Sequence, residues 1–323
     1  MKTSVFVKAM IKSIPGIEYV HNMHKDGGGT TLNARYCYSV WLRHLIYSYE
    51  NGWTSVPRKI AELGPGQSLG VGICALISGA DQYFAFDVKK YNNSAQLNLQ
   101  IFDELVYLLK KRAPIPEQNE FPSLKPSLKS YDFPDYIFPE TYMAMILDDK
   151  RLMKIRNCIK LLDSEPTATE NMITYMVPWN DSALIKKESV DMIISQGVLQ
   201  HIEELQSTFE IMFKWLKPNG LMSHQITFKA LGSSETWYGH WEYSDLMWKI
   251  IKGRMSYLIN REPYSTYIKL FNKNNFAIVF ESKIFEETVI EKRKLATRFK
   301  YLADEDLSIS GLFIQATKKN QAI

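Results

Sequence analysis

One short segment constrains this 323-residue chain more than any other. It is Glu62-Leu63-Gly64-Pro65-Gly66, set between an apolar strand pattern at residues 58–63 and a helical run rich in small residues from Ser68 to Ile77. Glycines directly after a strand let the backbone turn tightly and approach a ligand with no Cβ in the way, and the helix that follows offers unpaired N–H groups at its start. The next strand pattern, Tyr83 to Asp87, ends in an acid about twenty residues further on, where a carboxylate can accept both hydroxyls of an adenosine ribose. Strand, glycine turn, helix and strand form a βαβ unit, the building block of a parallel sheet, and point to a nucleoside cofactor. The glycines fall at 64, 66 and 70, outside the G-x-G-x-x-G spacing. That disfavours a nicotinamide dinucleotide and suits a ligand without pyrophosphate.

The rest of the chain repeats the rhythm with two interruptions. Residues 1–57 read as an N-terminal arm with one short helix before the Gly27–Gly29 triplet, followed by an amphipathic helix from Asn33 to Tyr49. The main domain spans 58–323. Between its second and third strands lies a segment at about 91–164 with helices at Gln100–Lys111 and Thr141–Leu162 and prolines at 114, 116, 122, 126, 134 and 139. A proline-punctuated connection this long is uncommon in a compact domain unless it caps a site, and it is read as an inserted cap or lid. Strands are expected at Met172–Val177, Val190–Ser195, Leu221–Phe228, Ala277–Phe280 and Ile309–Thr317, with a turn at Lys217–Gly220 and helices at Leu205–Leu216 and Ile268–Asn274. An irregular aromatic region at about 229–267 sits on the acceptor side. The expected fold is a doubly wound α/β sheet.

Composition narrows the partners. With 39 basic and 35 acidic residues the formal charge is +4, too small an excess for the concentrated basic face of a nucleic-acid binder. Cys37, Cys74 and Cys158 lie far apart, without a CxxC or Cys/His ligand spacing, so neither a disulfide framework nor a structural zinc site is expected and a reducing cytoplasm fits. Lys8, Lys12 and Pro15 break the only apolar run near the N-terminus, and no stretch approaches the roughly 18–20 residues of a membrane span. A homo-oligomer is compatible with the sequence, its expected sign being an exposed apolar face on the 141–162 helix.

Four ordered motifs then carry a resemblance. Glu62-Leu63-Gly64-Pro65-Gly66 is similar to the first motif of class I S-adenosylmethionine-dependent methyltransferases, and Asp87 falls where that family places its ribose-binding acid. Residues 190–202 resemble its fourth-strand motif, and Trp215-Leu216-Lys217-Pro218-Asn219-Gly220-Leu221 its turn before the fifth strand. The resemblance implies a Rossmann-like sheet of seven strands with the last antiparallel. It also implies S-adenosylmethionine as cofactor and S-adenosylhomocysteine as product. Gly64, Pro65 and Gly66 would face the methionine part and Asp87 would hold the ribose, with Glu62 and Val88 also among the cofactor-binding residues. Pro178 and Trp179 would flank the adenine, and Gln196 and Gly197 would line the sulfonium side. Trp179 also reads as a core aromatic. A looser resemblance, carried by Ser223-His224-Gln225-Ile226, residues 239–245 and Leu258-Ile259-Asn260-Arg261-Glu262-Pro263, is to bacterial methyltransferases of polysaccharide and sugar biosynthesis.

A hydroxyl acceptor benefits from a general base, and histidine titrates in the right range. His201 follows the fourth strand, His224 lies on the fifth, and His240 stands in the irregular region; each also reads as a hydrogen-bonded structural histidine. No paired aspartates fall in the site region, since Asp148-Asp149 lies in the 91–164 segment, so metal independence is expected. The leading expectation is O-methylation of a sugar or sugar-containing precursor. Other small-molecule acceptors (a natural product or a lipid-linked intermediate) and a non-catalytic cofactor-binding partner are the alternatives. No Asn-Pro-Pro-Tyr tetrapeptide follows the fourth strand, which argues against adenine or glutamine N-methylation.

Overall fold

Asn33 opens the first helix as its side chain accepts the N–H groups of Arg35 and Tyr36, a cap worth about 1 kcal/mol. In a computed structural model, described for residues 30–89, 91, 94–163, 172–179, 181–253, 258–287 and 290–319, that helix is α1 (Ala34–Glu50). Then follow β1 (Lys59–Leu63), α2 (Gly70–Ile77), β2 (Gln82–Phe86), α3 (Ala95–Lys110), α4 (Glu140–Ile146), α5 (Asp149–Lys160) and β3 (Ile173–Met176). The second half runs β4 (Val190–Gln196), α6 (Leu205–Trp215), β5 (Leu216–Thr227), α7 (Asp245–Lys252), α8 (Tyr264–Lys273), β6 (Phe276–Phe285), α9 (Asp304–Ser308) and β7 (Ile309–Lys318). The expected short helix and glycine triplet before residue 30 lie outside the described residues.

The strands form one sheet in the order β3-β2-β1-β4-β5-β7-β6. All pairs are parallel up to β5, and β7 runs antiparallel to both of its neighbours. The chain reverses its direction of winding between β1 and β4, which opens a crevice beyond the carboxyl ends of those strands. Helices cover both faces, so β1 and β7 are buried almost throughout instead of alternating. One core packs α1, α2, α3 and α5 on one face of the sheet, with Trp41, Leu42, Ile73 and Ile155 fully buried. The other packs α6 and α8 on the opposite face around Phe209, Trp215, Phe271 and Phe276.

β6 is longer than the expected Ala277–Phe280, α3 begins before the expected Gln100, α7 forms inside the region read as irregular, and two further elements differ in kind. The single helix expected over 141–162 is two helices, because Asp148 turns its side chain back to accept the N–H groups of Lys150 and Arg151 and so caps α5. The turn expected at Lys217–Gly220 is a bulge inside β5: Val190 pairs with Leu216 and Met192 with Leu221, and Asn219 takes a left-handed φ of 60°. The 95–163 segment joins the α1–α2 core through Ile101, Leu105, Phe138, Ile146 and Ile159. Met145 is exposed on α4, Met153 within α5 and Leu161 just after α5. Among the described residues, no helix is long and apolar enough to cross a membrane.

Candidate functional site

A cavity of about 570 Å³ opens at the carboxyl ends of β1, β2 and β4, within the size range of cofactor sites. Its first wall is the turn after β1. Gly64 and Gly66 hold φ of 66° and 76°, conformations that favour glycine. A Cβ on Gly64 would stand 2.5 Å from Val198 Cγ2, so this turn and the loop after β4 approach each other only because Gly64 has no side chain. The Gly64 N–H donates to Phe86 O at 2.8 Å, tying the turn to the end of β2.

Asp87 follows directly. It is buried; its Oδ1 accepts the Val88 N–H at 2.7 Å, and its Oδ2 is buried without a hydrogen-bond partner. Burial pushes its pKa up, and the backbone amides of Val88, Lys89 and Gly66 pull it back. A buried carboxylate on the wall of a cavity, with one oxygen lacking a donor, fits a ligand that brings hydroxyl groups.

Pro178 and Trp179 form a side wall. Trp179 lines the cavity while packing against Phe86 and Trp215 at ring-centroid distances of 6.4 and 6.2 Å. Gln196 and Gly197 close the side over β4, and Val88 lies at the rim, largely exposed. Sequence reasoning missed the wall supplied by α6, where Glu204, Ser207, Thr208 and Ile211 face the cavity. Only the amphipathic period of that helix hinted at a second face, and the period does not say whether a face meets core or ligand.

Two residues expected at the cofactor lie beside the cavity instead. Pro65 is not on its wall, and neither is Glu62, whose side chain points under the turn and accepts the Tyr83 hydroxyl. Burial raises the Glu62 carboxyl to about 7, against the pull of the Tyr83 and Gly72 hydrogen bonds. The acid thus braces α2 against β2 beneath the turn.

The three histidines separate as clearly. His201 ends the 3-10 turn Leu199–His201 and lines the cavity. His224 does not. Side chains stand perpendicular to a strand, and on β5 His224 faces the α8 layer, where Nδ1 lies 2.8 Å from Ser195 Oγ and the ring lies near Phe271. His240 is folded inward against Trp241, with ring centroids 4.8 Å apart. Burial pushes both histidines down to about 3, assisted by His44 for His224 and by Arg261 for His240, so both are neutral. Among the described residues, no group of three or more His, Cys, Asp or Glu side chains is placed to hold a metal ion. Of the described part of 91–163, only Tyr91 reaches the cavity wall, and nothing described from 229–267 does.

Residues 167–223, from just before β3 into β5, match a family model described as a methyltransferase domain. No curated protein matches the chain. Among solved structures, an S-adenosylmethionine-dependent methyltransferase from Mesorhizobium loti is 13% identical over 88% of this chain and 98% of its own, with a TM-score of 0.42. One from Methanosarcina mazei is 12% identical over 86% and 98%, with a TM-score of 0.43. Phosphoethanolamine N-methyltransferase 2 of Haemonchus contortus, in complex with S-adenosyl-L-methionine, is 11% identical over 89% of this chain and 58% of its own, with a TM-score of 0.42. The sheet order with its antiparallel β7 is a doubly wound, Rossmann-like arrangement, and within it residues 167–223 match the methyltransferase-domain model.

Proposed function

We propose that the chain is an O-methyltransferase that uses this cavity to methylate a hydroxyl of a sugar or sugar-containing precursor. The observation that carries the reading is the pairing of the unpartnered Asp87 Oδ2 on one wall with His201 on another. Asp87 would hold the ribose hydroxyls, Gly64 and Gly66 would admit the methionine part, Pro178 and Trp179 would flank the adenine, and Gln196 and Gly197 would face the sulfonium. Bound there, S-adenosylmethionine supplies a methyl group already activated by its positive sulfur.

The residues of the chain then have two tasks, holding the acceptor in line and taking up its proton. His201 is the histidine placed for the second. Its ring lines the cavity, where an imidazole nitrogen would take up the proton of the acceptor hydroxyl. His224 and His240 act structurally in this reading. Transfer proceeds without a metal. The exposed Met145, Met153 and Leu161 support a self-association face on α4 and α5.

The test is transfer of labelled methyl from S-adenosylmethionine to nucleotide-activated sugars, capsular fragments, bulk RNA and a peptide mixture, each with magnesium and with chelator. Label on a sugar in both conditions is expected. Label only on RNA or peptide overturns the acceptor class, and label that a chelator abolishes overturns metal independence.

A further inference from the structure

The described residues of 229–267 contribute no wall to the cavity, yet one residue just beyond α7 grips the turn that does. The Asn260 backbone N–H donates to Gln200 O at 2.6 Å, and its Nδ2 donates to Leu199 O at 3.0 Å and to Ile202 O at 2.7 Å. The Tyr267 hydroxyl, fully buried on α8, adds a bond to Leu199 O at 3.3 Å and lies 3.1 Å from Asn260 Nδ2. Asn260 is itself oriented by the Glu262 N–H, which donates to its Oδ1 at 2.9 Å.

The gripped turn has little structure of its own. Two backbone bonds close it, His201 N–H to Val198 O and Ile202 N–H to Leu199 O. The carbonyls of Leu199, Gln200 and Ile202 are satisfied from outside, by a residue about 60 positions away. Buried carbonyls without partners are costly, so the place of the turn depends on the residue that meets them. That turn carries His201 and Ile202 into the cavity wall. It also carries Gln200, which is buried with Oε1 lacking a partner and Nε2 3.5 Å from the point where a Cβ on Gly197 would stand.

The neighbour of Asn260 is anchored in the aromatic region. Arg261 is buried, donates to Tyr243 O at 2.8 Å, pairs with Asp245 at 2.5 Å, and lies over the rings of Trp248 and Phe299 at 4.9 and 5.1 Å. Trp241 Nε1 donates back to Arg261 O at 3.0 Å. One peptide bond therefore joins the aromatic body to the cavity wall.

We propose that Asn260 is a positioning residue for methyl transfer, fixing the Leu199–His201 turn against the cavity and coupling that wall to the 229–267 region. The cofactor arm of its test rests on the functional reading above; the histidine arm does not.

The experiment uses the full chain with Asn260→Ala, Asn260→Asp and Tyr267→Phe, each confirmed folded by circular dichroism at the working temperature. Asn260→Asp keeps the shape but sets an acceptor oxygen against two carbonyls, whereas Tyr267→Phe keeps the ring and drops the hydroxyl's bonds to Leu199 O and Asn260. The histidine ring signals are followed by NMR, with that of His201 assigned by its loss in His201→Gln. S-adenosylhomocysteine affinity is measured by calorimetry. The His201 signal is expected to move in both Asn260 variants while those of His44 and His224 stay. S-adenosylhomocysteine should bind about tenfold more weakly in Asn260→Ala, a loss of about 1.4 kcal/mol, more weakly still in Asn260→Asp, and slightly more weakly in Tyr267→Phe. An unmoved His201 signal with affinity within twofold of wild type overturns the proposal. If the wild type does not bind S-adenosylhomocysteine, the cofactor reading fails, and the His201 signal alone decides whether Asn260 positions the turn. If both Asn260 variants unfold, Tyr267→Phe decides: a moved His201 signal upholds the proposal and an unmoved one ends it.

Discussion

Replacing Glu62 with Gln should make the protein more stable at alkaline pH and leave it unchanged in acid. The carboxyl is 3% exposed, and burial raises its pKa from 4.5 to about 7. In the unfolded chain it ionises near 4.5, so between pH 4.5 and 7 the folded state holds a proton that the unfolded state has lost. Stability therefore falls as pH rises through that window and is level above it. At about 1.36 kcal/mol for each pH unit of that window, the loss comes to roughly 3 kcal/mol. Gln keeps an oxygen to accept the Tyr83 hydroxyl and has no charge to bury, so its curve lacks the decline. Urea unfolding of both proteins at pH 4.5, 6 and 8.5 measures this directly. The two should agree at pH 4.5 and differ by about 3 kcal/mol at pH 8.5, with Gln the more stable. Parallel curves across the range would show that Glu62 is not held protonated by burial, and the reasoning would fall.

Gly72→Ala on α2 should destabilise by about 1–3 kcal/mol or more, since its Cβ would stand 2.0 Å from Cζ of the fully buried Tyr83; an unchanged melting temperature would contradict the packing described. His44, His224 and His240 are each held near 3 by burial, so stability should drop as pH falls below 6.5, by up to roughly 4 kcal/mol per pH unit for three protons, opposing the Glu62 effect. His240→Gln should remove about a third of that slope in urea titrations, and an identical slope would refute the assignment. His201→Gln should bind S-adenosylmethionine within about threefold of wild type yet lose at least a hundredfold in turnover, whereas His224→Gln should affect stability before turnover.

The half of the fold around the cavity could be read because its elements are locally specified. The run 59–87 places β1, the turn, α2 and β2 within two residues of their observed limits, since glycine and apolar pattern agree there. Asp87, Gly64, Gly66, Pro178, Trp179, Gln196 and Gly197 all arrive at the cavity for the same reason, each lying at or just after the end of a strand that the pattern reveals. Glu62 and His224 did not follow, because which face of a strand a residue presents depends on register with neighbours. Ser195 opposite His224, and Tyr83 on β2 beside β1, are tertiary facts. The break at Asp148 was hidden by helical periodicity on both sides of it. The role of Asn260 was hidden by distance, since nothing in the local sequence ties residue 260 to a turn at 199–201.

The central claim is that the cavity ending at Asp87 holds S-adenosylmethionine, and calorimetric titration of wild type and Asp87→Ala with that cofactor tests it most directly. Saturable one-to-one binding to the wild type, weakened at least tenfold in a folded Asp87→Ala variant, is predicted, as expected when charge-assisted hydrogen bonds to the ribose hydroxyls are lost. No binding to the wild type, or equal binding by both proteins, would contradict the account.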